Sequence, residues 1–393
     1  MKILFMAPFG IRPKGTVLAR MLPLAVELQS LGDEVTIVAP PYTNPEDSGK
    51  TECVRGVKLV NVRLPPGGKA LGAPALALRM YRATLAEKPE LVHLFKPKGY
   101  GGLAAMLHLV LRHPEPLFVD TDDWEGKGGM NELHRYSPLE RWLFDLQERW
   151  LPPRAVGVTV ASRALQDQME GRGIPQARLL YLPNCVEDTP LGDGAKARER
   201  MGIEPNAPVV LLYTRFFEFS QERLHRVFAE IFARVPTVRF LVVGKGRHGE
   251  EALLLRAAAD MKFTEALVVA GWAEPTEIPD LLAAADVALY PLDDTLVNRA
   301  KCPAKLAEII RMGIPVVADR VGQATEYVEP GISGVLTNPD FPAEMAEEAV
   351  ALLRDPERRL KLGSEGRQHI LRAFKCHDTA LKLQEFYRRT IKR

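Results

Sequence analysis

The sequence predicts an α/β protein made of two Rossmann-like, doubly wound parallel-sheet domains facing across a cleft. Three observations predict it. The chain opens in βαβ order, it is interrupted at 183–208 by a stretch rich in Pro, Gly and Asp, and a second βαβ series begins afresh at 209. With 393 residues there is room for two hydrophobic cores.

In the first half, KILFMAP (2–8) has the apolar, β-rich look of an interior strand. The loop FGIRPKGT follows, then helical periodicity over 17–31 that stops at Gly32, then the strand EVTIVAP (34–40). ELVHLF (90–95), PLFVDT (116–121), AVGVTVAS (155–162) and ARLLYLPN (177–184) continue the sheet, with helical stretches between them. The stretch PNCVEDTPLGDGAKARERMGIEPNAP reads as a linker leading into the second domain. The second half runs VVLLYTR (209–215), a helix near 221–234, VRFLVVG (238–244), a helix near 249–261 and ALVVAG (266–271). It continues through EIPDLLAAA (277–285), DVALYPL (286–292), KCPAKLAEIIRMGIPVVA (301–318) and GVLTN (334–338), and ends in helices over 343–354 and most of 357–393. The expected domains are therefore 1–185 and 186–376. Ligands of such sheets lie at the carboxyl ends of the strands, and in a paired arrangement that is the cleft.

Composition narrows the class. Charged residues are 26%, apolar residues 46% and the net charge is +2, which gives no overall basic surface for nucleic acid. No run approaches the roughly 20 apolar residues that span a bilayer, and the N-terminal apolar run is short for a secretion signal, so a cytoplasmic protein is expected. Cys53, Cys185, Cys302 and Cys376 form no CxxC pair and read as free thiols. SPLERWLFDLQERWLPPR (137–154) carries Trp, Leu and Arg at helical spacing, as an interfacial helix or as one packed on a core.

Two motifs carry chemistry. VVGKGRHG matches GxGxxG, but the next strand, ALVVAGW, ends without the carboxylate that a dinucleotide ribose needs. Gly246 then serves either a close approach to a ligand phosphate or a tight turn. Before and within KCPAKLAEIIR, Arg299, Lys301 and Lys305 crowd a helix start, where amide N–H groups and the helix dipole favour an anion. A phosphate or diphosphate fits there; a solvated basic loop is the plainer alternative. Glu308, over one turn further on, is placed either to accept hydrogen bonds from a ribose diol or to face solvent.

GWAEPTEIPDLLAAADVALYPL, KLAEIIRMGIPVVA and ATEYVEPGISGVLTNPD, together with APFGIRPKGT and LPNCVE in the first half, resemble the glycosyltransferases of the GT-B fold, in particular retaining family 4. The resemblance implies transfer of a sugar from a UDP- or GDP-sugar to an acceptor hydroxyl, with retention, without a metal and with no cofactor beyond the donor. The acceptor is a sugar, a lipid-linked molecule or another small molecule, and contact with a membrane surface is compatible with it. It further implies Glu308 on the donor ribose, Arg215 and Gly15 near the diphosphate, Gly271 and Trp272 near the base, and Glu326 after the donor strand. The last helix, 377–393, would cross back onto the first domain. Two departures stand out. Ala300 replaces the first glutamate of the donor pair, and Ser220 and Gln221 stand where a lysine is usual, leaving Arg299, Lys301 or Lys305 to supply the charge. On the acceptor side, Asp122, Asp123 and His93 replace the family's His-Asp pair. The rival readings are a sugar-nucleotide epimerase, a phosphorylase, and a sugar-nucleotide binding protein without catalysis.

Overall fold

The computed structural model describes residues 1–12, 15–66 and 69–391, with the backbone alone for 69–71. Its contacts divide the chain into two units. Unit 1 is Met1–Cys185 with Ala300–Cys302 and the tail from Phe374; unit 2 is Val186–Arg299 with Pro303–Ala373.

Unit 1 contains β1 (Lys2–Met6), β2 (Glu34–Ala39), β3 (Thr51–Val54), β4 (Val57–Asn61), β5 (Leu91–Phe95), β6 (Leu117–Thr121), β7 (Gly157–Val160) and β8 (Leu179–Tyr181). They form one sheet in the order β3-β4-β2-β1-β5-β6-β7-β8. Every neighbouring pair is parallel except β3 and β4. Both faces are covered, which is why β5, β6 and β7 are buried at every position. Alternate residues feed opposite cores. Ile3, Phe5, Phe95 and Phe118 pack with Leu383, Phe386 and Tyr387 of the last helix, Cys376–Ile391. Leu4, Met6, Val92 and Leu94 pack with Met80, Tyr81, Ala104 and Leu151 on the other face. Each such side chain contributes about 1.5–3 kcal/mol by leaving water.

Three features of unit 1 depart from expectation. A hairpin, β3–β4, occupies the edge; Arg55 and Gly56 turn it, with φ of +53° and +83°, as a two-residue turn of the tight hairpin kind requires. Cys185 and Cys376 are joined in a disulfide with their Cα atoms 4.7 Å apart, so four free thiols is corrected to one bridge, with Cys53 and Cys302 outside it. The partners are 191 residues apart in sequence, and only the folding of the last helix onto β1–β8 makes them neighbours. The first helix begins as a π-helical turn, Val17–Met21, before settling into Leu22–Ser30. Residues 13 and 14 of the glycine loop lie outside the described residues.

Unit 2 contains β9 (Val209–Tyr213), β10 (Arg239–Val243), β11 (Leu267–Gly271), β12 (Val287–Tyr290), β13 (Val316–Asp319) and β14 (Val335–Thr337), in the all-parallel order β11-β10-β9-β12-β13-β14. Phe228 and Phe240 stack in its core at 4.2 Å, with Phe263 edge-on to both. The order reverses direction at β9 and β12, so a doubly wound sheet of this kind opens its ligand crevice beyond their carboxyl ends. Among the described residues, no helix is long and apolar enough to cross a membrane.

Candidate functional site

In unit 2, the end of β9 gathers the groups that matter. Thr214 closes the strand, Arg215 projects half-exposed, and Phe216 takes a φ of +67° while its ring is buried. That backbone twist brings Phe217 beneath two cations: the guanidinium of Arg215 lies 4.7 Å from its ring centroid and that of Arg247 lies 5.2 Å away. The helix Ala304–Arg311 supplies the opposite wall. Lys305 donates from Nζ to the Thr214 carbonyl at 3.2 Å and stands 3.7 Å from the Tyr213 ring centroid. One turn further along, Glu308 shares a hydrogen bond with the Tyr213 hydroxyl. Burial, the Glu308 charge and that bond together hold the Tyr213 phenol well above its usual range. Arg215, Lys305 and Glu308 thus converge on one strand end, beside a pocket lined by Tyr213, Thr214, Glu218, Tyr290 and Pro291.

Other predicted residues lie elsewhere. Arg299 belongs to a separate short helix, Leu296–Ala300, where its exposed guanidinium grips Asp294. Lys301 is 4% exposed and packs with unit 1 instead of standing at the start of Ala304–Arg311. Gly246 donates its amide to Glu251 Oε1 at 2.8 Å, so a carboxylate of this chain occupies the place of an anion on that turn. The glycine that the turn cannot replace is Gly244: φ is +124°, and a Cβ there would lie 1.9 Å from the Thr214 carbonyl oxygen. Gly271 has a φ of +66° and aims the chain at Trp272, which is largely exposed. Glu326 is half-buried on the short helix Ala324–Tyr327 after β13. Gly15 accepts from the Ala19 amide at the entrance of the π-helical turn in unit 1.

Sequence reasoning missed a largely enclosed cation in unit 2. Arg223, two to three residues beyond the place where a lysine is usual, pairs with Asp293 at 3.1 Å and Asp319 at 2.8 Å. Asp319 also accepts from the Leu292 amide at 2.7 Å and from Thr337 at 3.2 Å. Burial pushes this carboxylate up, against the opposing pull of Arg223. The partners are 96 residues apart, so no local pattern could have announced them.

In unit 1 the charges lie at the carboxyl ends of β5 and β6. Lys96, with a φ of +60°, turns its ammonium onto Asp122 at 3.1 Å, Asp123 at 2.5 Å and Glu125 at 3.3 Å. Lys98 reaches Glu125 at 2.5 Å and lies over the rings of Tyr136 and Phe144. Burial pushes Glu125 up, yet Lys96 and Lys98 pull harder and leave it at about 2. Burial holds Asp122 above the usual carboxylate range in spite of Lys96, and the Thr16 hydroxyl donates to it at 3.4 Å. Below them, Arg20 forks onto Asp120 at 2.7 and 2.6 Å and reaches the Leu182 carbonyl and Asn184.

His93 requires correction. It is fully buried in β5, with Nδ1 2.6 Å from the Tyr387 hydroxyl and Nε2 3.2 Å from Thr159 Oγ1. Burial lowers it to about 3. An imidazole enclosed on both faces, with both nitrogens bonded to side chains, cannot reach an acceptor; it is a core residue.

Comparison with known proteins accords with this architecture. Residues 15–185 match the family described as "Glycosyl transferase 4-like domain", and residues 207–355 match "Glycosyl transferases group 1". A GDP-mannose-dependent alpha-(1-6)-phosphatidylinositol monomannoside mannosyltransferase of Mycolicibacterium smegmatis is 29% identical over 90% of this chain and 89% of its own. A D-inositol 3-phosphate glycosyltransferase of Acidothermus cellulolyticus is 31% identical over 51% of this chain. That match takes in 46% of the relative, and the chain spans about half the length of most of the curated relatives it matches. Among solved structures, Anabaena HepE in complex with UDP and glucose superposes with a TM-score of 0.73 at 20% identity, covering 98% of this chain and 99% of that one. Both halves of the chain thus match glycosyltransferase families, and the protein belongs to the family 4, group 1 glycosyltransferases of the GT-B fold.

Proposed function

We propose that the chain transfers a hexose from a nucleotide-diphosphate hexose to an acceptor hydroxyl, with retention of anomeric configuration, and that unit 2 holds the donor. The observation that carries the donor assignment is the convergence of Arg215, Lys305 and Glu308 at the end of β9. In this reading the diphosphate lies against the first turn of Ala304–Arg311, whose dipole and amide groups favour an anion. Arg215 and Lys305 neutralise the charge that grows on the leaving diphosphate, so no metal ion is needed at that position. Glu308, oriented by Tyr213, accepts hydrogen bonds from the ribose diol. Trp272 and Gly271 border the base and Glu326 borders the sugar, all within unit 2. Asp122, whose carboxyl is held up by burial, is the acceptor-side carboxylate. The near-full-length mannosyltransferase relative favours a GDP-sugar over a UDP-sugar.

The same relative acts on a lipid, and one surface of unit 1 suits that. The helix Pro138–Arg154 buries Phe144, Gln147, Glu148 and Leu151 but leaves Leu139 70% and Trp142 61% exposed, next to exposed Arg135 and Arg141. We read this end as a contact with an anionic membrane surface on which a lipid-linked acceptor is presented.

Calorimetric titration with GDP and with UDP tests the donor site. GDP is expected to bind tighter, and Glu308→Ala is expected to weaken it at least tenfold. Unchanged affinity in Glu308→Ala and Arg215→Ala would remove the assignment. The anomeric configuration of the product, read by NMR, decides retention. Sedimentation with anionic vesicles at low salt, lost in a Leu139→Ser/Trp142→Ser variant, is expected for membrane contact.

A further inference from the structure

The turn between the helix Gly99–Val110 and β6 brings together two imidazoles and a carboxylate that play no part in the donor or acceptor chemistry. His108, His113 and Glu115 offer ligand atoms that all lie within 4.8 Å of one another. They are the one such group of His, Cys, Asp and Glu among the described residues.

His108 is the most telling member. It is 1% exposed, and Nε2 lies 2.8 Å from the Glu115 carbonyl oxygen. A carbonyl only accepts, so Nε2 carries the proton and Nδ1 of the neutral ring presents its lone pair. That Nδ1 is buried with no hydrogen-bond partner. A buried acceptor left unpaired costs free energy that a Lewis acid would recover. The pattern, with one nitrogen donating to a backbone carbonyl and the other exposing a lone pair, is how metal-ligating histidines are oriented. His113 stacks on His108 with centroids 5.3 Å apart and an interplanar angle of 28°. Its Nδ1 lies 2.7 Å from Glu115 Oε2, and its amide bonds back to the His108 carbonyl at 3.1 Å. Tyr81 braces the ring edge-on.

We propose that His108 Nδ1, His113 and Glu115 bind a divalent transition metal, with zinc the best fit. Two imidazoles and one carboxylate match zinc's preference for nitrogen and oxygen ligands at about 2.0–2.2 Å, with water as the fourth ligand. Donor atoms of such a sphere stand closer together than 4.8 Å, so His113 and Glu115 must turn inward. Their side chains are 27% and 20% exposed and have room to do so. The metal would pin the end of one helix to the start of β6. The proposed acceptor-side carboxylate, Asp122, lies beyond the other end of that strand, roughly 23 Å from Glu115 at about 3.3 Å per residue. Its role is therefore structural.

The test uses the full chain, stripped with chelator and titrated with zinc chloride by calorimetry, then with Co²⁺ followed by visible absorption. One equivalent of zinc per chain is expected, with a raised Tm and Co²⁺ bands of four-coordinate intensity. His113→Ala and Glu115→Gln, both at partly exposed positions, should each weaken binding about 10–100-fold and abolish the Tm rise. His108→Asn should do the same, but that buried ring is also part of the packed core, so the two partly exposed variants decide. Binding that is absent in the unaltered chain, or that persists undiminished in His113→Ala, would overturn the proposal.

Discussion

Two strand ends, that of β6 in unit 1 and that of β9 in unit 2, handle charge in opposite ways. Around β6 of unit 1, Arg20 and Asp120 have side chains 1% and 0% exposed, and each is matched to the other. At the end of β9 in unit 2, Arg215 is 48% exposed, bound loosely to Glu218 at 3.7 Å and resting on an aromatic face. A buried charge committed to a partner of the same chain is part of the fold, because removing one member strands the other in a medium that cannot solvate it. A half-solvated cation over a ring costs the fold little and remains available to an anion. The difference separates groups that hold the protein together from groups left open to a ligand, although both read simply as Arg in the sequence.

Arg20→Ala should destabilise the protein by about 3–5 kcal/mol in urea denaturation. Arg215→Ala, in the same measurement, should stay within about 0.5 kcal/mol of the parent while weakening nucleotide binding. Equal destabilisation by both would erase the distinction. The next largest effect belongs to His93. Its folded value of about 3 lies below the ordinary 6.5, so the unfolded chain takes up a proton that the folded one refuses. Stability should therefore fall as pH drops below about 6.5, by roughly 1.4 kcal/mol per pH unit from this group alone. His93→Gln should flatten that part of the slope, as read from urea midpoints between about pH 6 and pH 4. A slope identical in the variant would mean the ring titrates normally.

Tyr213→Phe removes only the hydroxyl that steadies Glu308, and should weaken nucleotide binding by about 1 kcal/mol, roughly fivefold, with stability little changed. Ser137 and Glu140 form a reciprocal capping box on the exposed start of Pro138–Arg154. Ser137→Ala should cost about 1 kcal/mol, a Tm fall of about 2–4 °C by calorimetry. No change there would show that the exposed end of this helix is not held by its cap.

Much of the fold was legible because its signals are local. The apolar runs of β1, β5, β6, β9 and β12 are each bounded by turn residues, and doubly buried parallel strands must be apolar throughout. The β3–β4 hairpin was missed although Arg55-Gly56 marks it, since a lone two-residue turn between short runs carries a weak signal. Of the proposed site, Lys305 and Glu308 could be named from their offsets from a helix start, and Arg215 only from the family resemblance. Lys301 and Arg299 carry the same charge a few residues before the same helix start, yet the fold sends one into unit 1 and the other onto Asp294. His93 stood after no turn and beside no motif that would reveal whether its ring faced a ligand or Tyr387.

By itself, then, the order of residues determined where most of the parallel strands and the helices between them form, and that they fall into two series, because periodicity and turn chemistry act over a few residues. Only the tertiary structure decided the Cys185–Cys376 bridge, the Arg20–Asp120 and Arg223–Asp319 pairs and the enclosure of His93. Those depend on contacts between residues tens to hundreds of positions apart, and the energy of a charge or a lone pair is set by whatever the folded chain places around it.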